Sequence, residues 1–161
     1  MQDFESLGLS PQILEGVKEL GFVTPTPIQQ EAIPHLLENS GDLVGLAQTG
    51  TGKTAAYGLP LLQNINPKNK VIQGVILCPT RELGQQVAKQ LFRFTKYTDK
   101  IFTEAVYGGA PIDKQIQNLK RPTHIIVATP GRLIDLVKRK AIKLEEVNVV
   151  VLVLLRIAKY G

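Results

Sequence analysis

Ala47-Gln48-Thr49-Gly50-Thr51-Gly52-Lys53-Thr54 is the stretch that decides the fold. Its glycines let the backbone turn tightly and aim N–H groups at phosphate oxygens. The helix expected to start at Lys53 adds the partial positive charge of its N-terminus. Lys53 is placed to reach outer phosphates, and the Thr54 hydroxyl suits Mg²⁺. The first position of the usual Gly-x4-Gly-Lys-Thr spacing is Ala47 here. An apolar run, Leu43 to Leu46, precedes the loop and reads as the first core strand. The bland alternative is a glycine-rich turn with an incidental lysine.

Working outward, helix and strand signals alternate, the pattern of an α/β domain with a mostly parallel sheet and helices on both faces. Ser10-Pro11 and Thr26-Pro27 are helix starts, each a capping side chain followed by a proline at the first helical position. Pro34 is expected to bend or divide its helix, and Pro60 to shorten the helix that runs from Lys53 to about Leu62. Val71 to Cys78, Ile101 to Tyr107, Thr123 to Ala128 and Val147 to Leu155 read as strands. Helices are expected at 81–94, 111–119 and 131–138. The last strand is nearly all apolar, which predicts cover on both faces.

Composition bounds the class. The 161 residues, 43% apolar and 20% charged, suit one globular domain. No apolar stretch approaches the roughly 18 residues of a membrane span. The start, Met1 to Glu5, lacks a signal peptide's basic head and apolar body. The single cysteine, Cys78, has no internal partner and reads as a buried thiol, which favours a cytoplasmic setting. The net charge is +5, and residues 111–143 hold eight Lys or Arg against two Asp. A basic half suits a polyanion, whereas Lys138-Arg139-Lys140 alone reads as a solvated helix end.

Gly21-Phe22-Val23-Thr24-Pro25-Thr26-Pro27-Ile28-Gln29, joined to the phosphate loop, is more specific than either alone. Pro79-Thr80-Arg81-Glu82-Leu83, Gly108-Gly109 and Thr129-Pro130-Gly131-Arg132 follow in order at expected strand ends. With these motifs the chain closely resembles the first RecA-like domain of DEAD-box ATP-dependent RNA helicases, from about Phe4 to about Leu152. The resemblance makes 1–161 a partial, C-terminally truncated RecA-like P-loop domain with an adenine-reading lead-in at 2–30.

The resemblance implies ATP and Mg²⁺ as cofactors. It gives adenine contact to Phe4 and Gln29, with Phe22 in the core. Phosphate contact falls to Gln48, Thr49, Gly50, Thr51, Gly52, Lys53 and Thr54. Lys53 and Thr54 are the catalytic candidates, and Thr54 is the metal candidate. RNA contact, mainly through the backbone, falls to Pro79, Thr80, Arg81, Gly108, Gly109, Thr129, Pro130, Gly131 and Arg132. Gly84 stands where the family usually has alanine.

The resemblance also exposes a gap. The family continues its last apolar strand with Asp-Glu-Ala-Asp, whereas this chain has Val153-Leu154-Leu155 and then Arg156. Aliphatic side chains neither hold Mg²⁺ nor take a proton. Glu145 and Glu146 belong to the opposite end of that strand, with Glu146 about 20 Å or more from Val153 at ~3.3 Å per residue. Natural or engineered loss and a misread tract both fit. The implied parent is an RNA helicase whose second RecA-like domain, the expected partner beside RNA, lies outside the chain. The chain itself is expected to be a monomer that binds nucleotide and RNA weakly with negligible turnover. The alternatives are a non-catalytic nucleotide- or RNA-binding module and another P-loop enzyme, such as a nucleotide kinase or DNA translocase.

Overall fold

A computed structural model describes residues 3–38, 41–47 and 52–154. In chain order they form a 3₁₀ turn at Phe4–Leu7, then α1 (Pro11–Glu19), α2 (Pro27–Leu37), α3 (Lys53–Asn64), β1 (Gly74–Leu77), α4 (Arg81–Phe94), β2 (Thr103–Val106), α5 (Ile112–Leu119), β3 (Ile125–Ala128), α6 (Pro130–Lys138) and β4 (Val149–Leu152). Two compact units emerge, one of residues 1–68 and 89–101 and the other of residues 69–88 and 102–161.

The first unit is helical among the described residues. Ser10 caps α1 by accepting from the Ile13 N–H, with Pro11 at the first position. Thr26 starts α2 through a reciprocal capping box. Its Oγ1 accepts from the Gln29 N–H, while Gln29 Oε1 accepts from the Thr26 N–H. α2 runs undivided through Pro34 and α3 continues past Pro60 to Asn64, so the expected division and shortening do not occur. Each proline costs one backbone bond, and burial of Ile33, Leu59 and Leu62 outweighs that loss. Phe22 lies between Phe4 and Phe94, with ring centroids 6.2 and 6.0 Å away. Gln63 ties the N-terminal segment to α3 by accepting from the Ser10 N–H and donating to the Gly8 carbonyl.

The second unit holds a parallel four-stranded sheet in the order β2-β3-β1-β4. The step from β1 to β2 runs one way along the sheet, and the steps to β3 and β4 run the other way. Right-handed crossovers therefore send α4 to one face and α5 and α6 to the opposite one. The packing agrees. Val75, Val106, Ile126, Ala128 and Leu136 form a core with Ile112, Ile116 and Leu133 from α5 and α6. On the other face Gly84 of α4 is close enough to Val127 and Cys78 that a methyl group there would touch both. The expected α/β architecture is thus present, with strands shorter than the apolar runs that announced them.

Two expectations about strands are corrected. Leu43 to Leu46 is not a strand, and Val44 and Leu46 are 86% and 90% exposed. An apolar run supplies side chains for a strand, but a ladder needs a hydrogen-bonding neighbour, and this run has none among the described residues. The last strand ends at Leu152, and its residues alternate between half-buried and exposed instead of being covered on both faces. It pairs only with β1 among the described strands, and Val150 and Leu152 lie beyond the cover of the helices.

Candidate functional site

In the first unit the lead-in and the phosphate loop meet at one hydrogen bond. The Gln29 side chain is 3% exposed. Its Nε2 donates to the Gly52 carbonyl at 3.1 Å, and its Oε1 accepts from the Thr26 N–H at 2.9 Å. The amide keeps one N–H and one lone pair beyond these bonds. Gly52 has φ +79°, and a Cβ there would collide with Gln29 Nε2. The position therefore requires glycine on two independent counts.

Lys53 is the first helical residue of α3 and is exposed, with Thr54 half-buried beside it. No side chain among the described residues caps this helix, and the first N–H groups of a helix have no partner within it. Together these features suit the phosphate chain of a nucleotide. Gln48, Thr49, Gly50 and Thr51 lie outside the described residues. Phe4 is 3% exposed and packs beside Phe22, so its ring belongs to the core of this unit in the present conformation.

Mg²⁺ fits less well. Thr54 offers one hydroxyl, and among the described residues no cluster of three His, Cys, Asp or Glu could hold a metal. Val153 and Leu154 follow β4 directly, while Glu145 and Glu146 precede it and are exposed. Leu155 and Arg156 lie outside the described residues.

In the second unit three turns gather at the carboxyl ends of β1, β2 and β3, where a parallel sheet presents its ligand-binding loops. Thr80 precedes α4, and its Oγ1 accepts from the Leu83 N–H at 3.2 Å. Pro79 and Thr80 are both exposed. Arg81 lays its guanidinium 4.6 Å from the centre of the Tyr107 ring, and Gln85 donates to the Tyr107 hydroxyl. Thr129 accepts from the Gly108 N–H at 3.3 Å, joining the paired-glycine turn to the start of α6. Gly109 supplies the turn with φ +82°. Gly108 and Gly131 have ordinary φ values, and a Cβ on either would meet open space. Internal packing does not explain these two glycines, and a glycine leaves room for close approach at each.

Arg132 is half-buried, and its Nη1 donates to the Ala110 carbonyl and to Gln115 Oε1, both at 3.0 Å. Gln115 Nε2 then donates to the Tyr107 carbonyl at 3.0 Å. Arg132 thus fastens the glycine turn through Nη1, with Nε and Nη2 outside these two bonds. Sequence reasoning missed Gln115 and Tyr107. The available signal was a glutamine at an apolar position of the helical pattern Ile112, Gln115, Ile116, Leu119. Two groups in this unit have displaced pKa values. Burial pushes the Cys78 thiol up, and burial raises Glu104 against a weaker opposing pull from Arg121.

A glycine-led loop opening a helix in one unit and a parallel sheet with turns gathered at its carboxyl ends in the other are the features of a P-loop nucleotide-binding domain of RecA-like type. Residues 26–152 match the model of the DEAD/DEAH box helicase family, and the chain belongs to that family. It is 47% identical over 152 residues to the DEAD-box ATP-dependent RNA helicase CshA of Bacillus cereus, covering 94% of this chain and 29% of that protein. CshA of Streptococcus pneumoniae is 48% identical over 149 residues, covering 92% and 28%. Among solved structures, a DEAD box protein from Methanococcus jannaschii superposes with a TM-score of 0.89 at 37% identity, covering 94% of this chain and 41% of that one. Saccharomyces cerevisiae Dbp5 bound to RNA and ADP BeF3 gives 0.85 at 33% identity, covering 94% and 38%. The chain spans under a third of the length of these curated relatives. No helix among the described residues is long and apolar enough to cross a membrane.

Proposed function

We propose that this chain is the ATP-binding and RNA-contacting part of an ATP-dependent RNA helicase. In the parent, ATP and RNA together would draw a second RecA-like domain onto this one and open a short duplex. The carrying observation is the bond between Gln29 and the Gly52 carbonyl, which fixes a base-reading amide to the loop that holds phosphates. The spare N–H and lone pair of Gln29 match the acceptor and donor of adenine's N7 and N6 edge. Lys53 and the Gly52 turn, with Gln48, Thr49, Gly50 and Thr51, would hold the phosphates. Phe4 would stack on the base only after leaving its packed position, so Gln29 is the stronger adenine reader. Pro79, Thr80, Arg81, Gly108, Gly109, Thr129, Pro130, Gly131 and Arg132 would grip an RNA backbone with little base preference.

Mg²⁺ would arrive with ATP and meet Thr54, but the residues after β4 offer it no carboxylate. A second reading is favoured by that apolar strand end, namely a module that binds nucleotide and RNA without turning ATP over. In both readings this chain alone acts as a cytoplasmic monomer with negligible hydrolysis. The readings divide on RNA-stimulated ATP hydrolysis by the longer parent. For the base-reading site, competition of ATP and GTP against a fluorescent ADP analogue is expected to favour ATP. The Gln29→Ala variant should lose that preference while keeping phosphate-dependent binding. Equal displacement by ATP and GTP in the unaltered chain would refute adenine reading.

A further inference from the structure

The turns just described use the carboxyl ends of the strands, and they leave most of the basic charge unexplained. Connections that run from a helix into a parallel strand all lie at the opposite, amino ends. In the second unit Lys70 precedes β1, Lys120 and Arg121 precede β3, and Lys143 precedes β4. These four line one open cleft of about 330 Å³. Lys138, Arg139 and Lys140 close α6 and lead directly into the Ala141–Lys143 wall of that cleft.

All seven cations are exposed. Only Arg121 makes an ion pair among the described residues, to Glu104 at 3.6 Å. Asp135, Glu145 and Glu146 are the other acids nearby in sequence, so the seven cations still outnumber these three and Glu104. Lys140 adds an independent sign. It has φ +55°, the only positive value among the described non-glycine residues, at the helix-ending position that favours glycine. The backbone there tolerates a strain of about 1 kcal/mol while presenting a lysine.

We propose that this amino-end cleft is a second binding surface for the phosphate backbone of RNA, apart from the carboxyl-end turns. Flexible lysines on separate connections suit sequence-independent contact with a regular row of phosphates. The choice of RNA over another polyanion rests on the function proposed above.

The test is fluorescence anisotropy with a labelled 20-nucleotide oligouridylate, titrated across a series of salt concentrations. Three proteins are compared: the unaltered chain, a Lys120→Gln, Lys140→Gly, Lys143→Gln variant, and Gly108→Val at the carboxyl-end turns. Lys140→Gly relieves the left-handed backbone, and urea unfolding confirms that the triple variant is folded. Losing three phosphate contacts should flatten the slope of log affinity against log salt by about 2 and weaken binding about ten-fold near 0.1 M salt. An unchanged slope in the triple variant overturns the proposal. Polyglutamate competing as well as unlabelled RNA, at equal charge, would also overturn it by marking a site for acidic proteins. If Gly108→Val alone binds like the unaltered chain while the triple variant is weakened, the carboxyl-end assignment fails and the cleft stands.

Discussion

The lead-in of the first unit and the turn cluster of the second are held in place by different means. Around Gln29 a single side chain does the joining, with one bond to Thr26, one to Gly52, and hydrogen-bonding capacity left over. Around Gly108 the joining is shared. Thr129 holds the turn from one side, and Arg132 and Gln115 hold it from the other through the Ala110 and Tyr107 carbonyls. The first arrangement leaves polar capacity on a side chain, as the proposed base reading requires. The second uses its side chains on the protein itself and leaves backbone and glycine surfaces open, as the proposed RNA contact requires. A base needs donors and acceptors in a fixed pattern, whereas a sugar-phosphate backbone needs room and positive potential.

The sharpest way to break this contrast is Gly52→Ala. It places a methyl group against the Gln29 amide in a left-handed backbone. Urea unfolding should show a loss of about 1–3 kcal/mol, and ADP binding should fall at least ten-fold. Retained ADP affinity would mean that the Gln29 contact does not shape the loop. Gln115→Leu attacks the other region by removing the partner of both Arg132 and the Tyr107 carbonyl. A loss of about 1–3 kcal/mol is expected from the stranded polar groups, with weaker RNA binding and unchanged ADP affinity. Equal losses of both ligands would erase the distinction between the regions.

Thr26→Ala should cost about 1 kcal/mol through its helix cap. The smallest effect is at Glu104. Its folded pKa lies above the ordinary value because burial disfavours the carboxylate. The folded state therefore carries a penalty above that pKa, which is relieved as pH falls through it toward the unfolded value. Glu104→Gln should remove that gain on acidification, so the acid limb of a stability–pH curve falls more steeply, and leave the chain no less stable at neutral pH. An unchanged acid limb would show that Glu104 is not the group responsible.

Much of this was legible in the residues. Ser10-Pro11 and Thr26-Pro27 announced their helices because capping is local chemistry. The order of the strands' motifs announced a parallel sheet because crossover connections need intervening helices. What the residues could not show was set by neighbours distant in sequence. Leu43 to Leu46 has the composition of a strand but no ladder among the described residues. Val147 to Leu155 has the composition of a covered strand but an exposed alternation. Arg132 read as a phosphate-binding residue, and its hold on Ala110 and Gln115 became visible only when β2, α5 and α6 were assembled.

The central claim is that the loop ending in Gly52-Lys53-Thr54 holds nucleotide phosphates in this chain. Calorimetric titration with ADP and Mg²⁺, comparing the unaltered protein with Lys53→Ala, tests it most directly. The account predicts a saturable heat that Lys53→Ala abolishes while urea unfolding stays unchanged. Equal heats for the two folded proteins would contradict it.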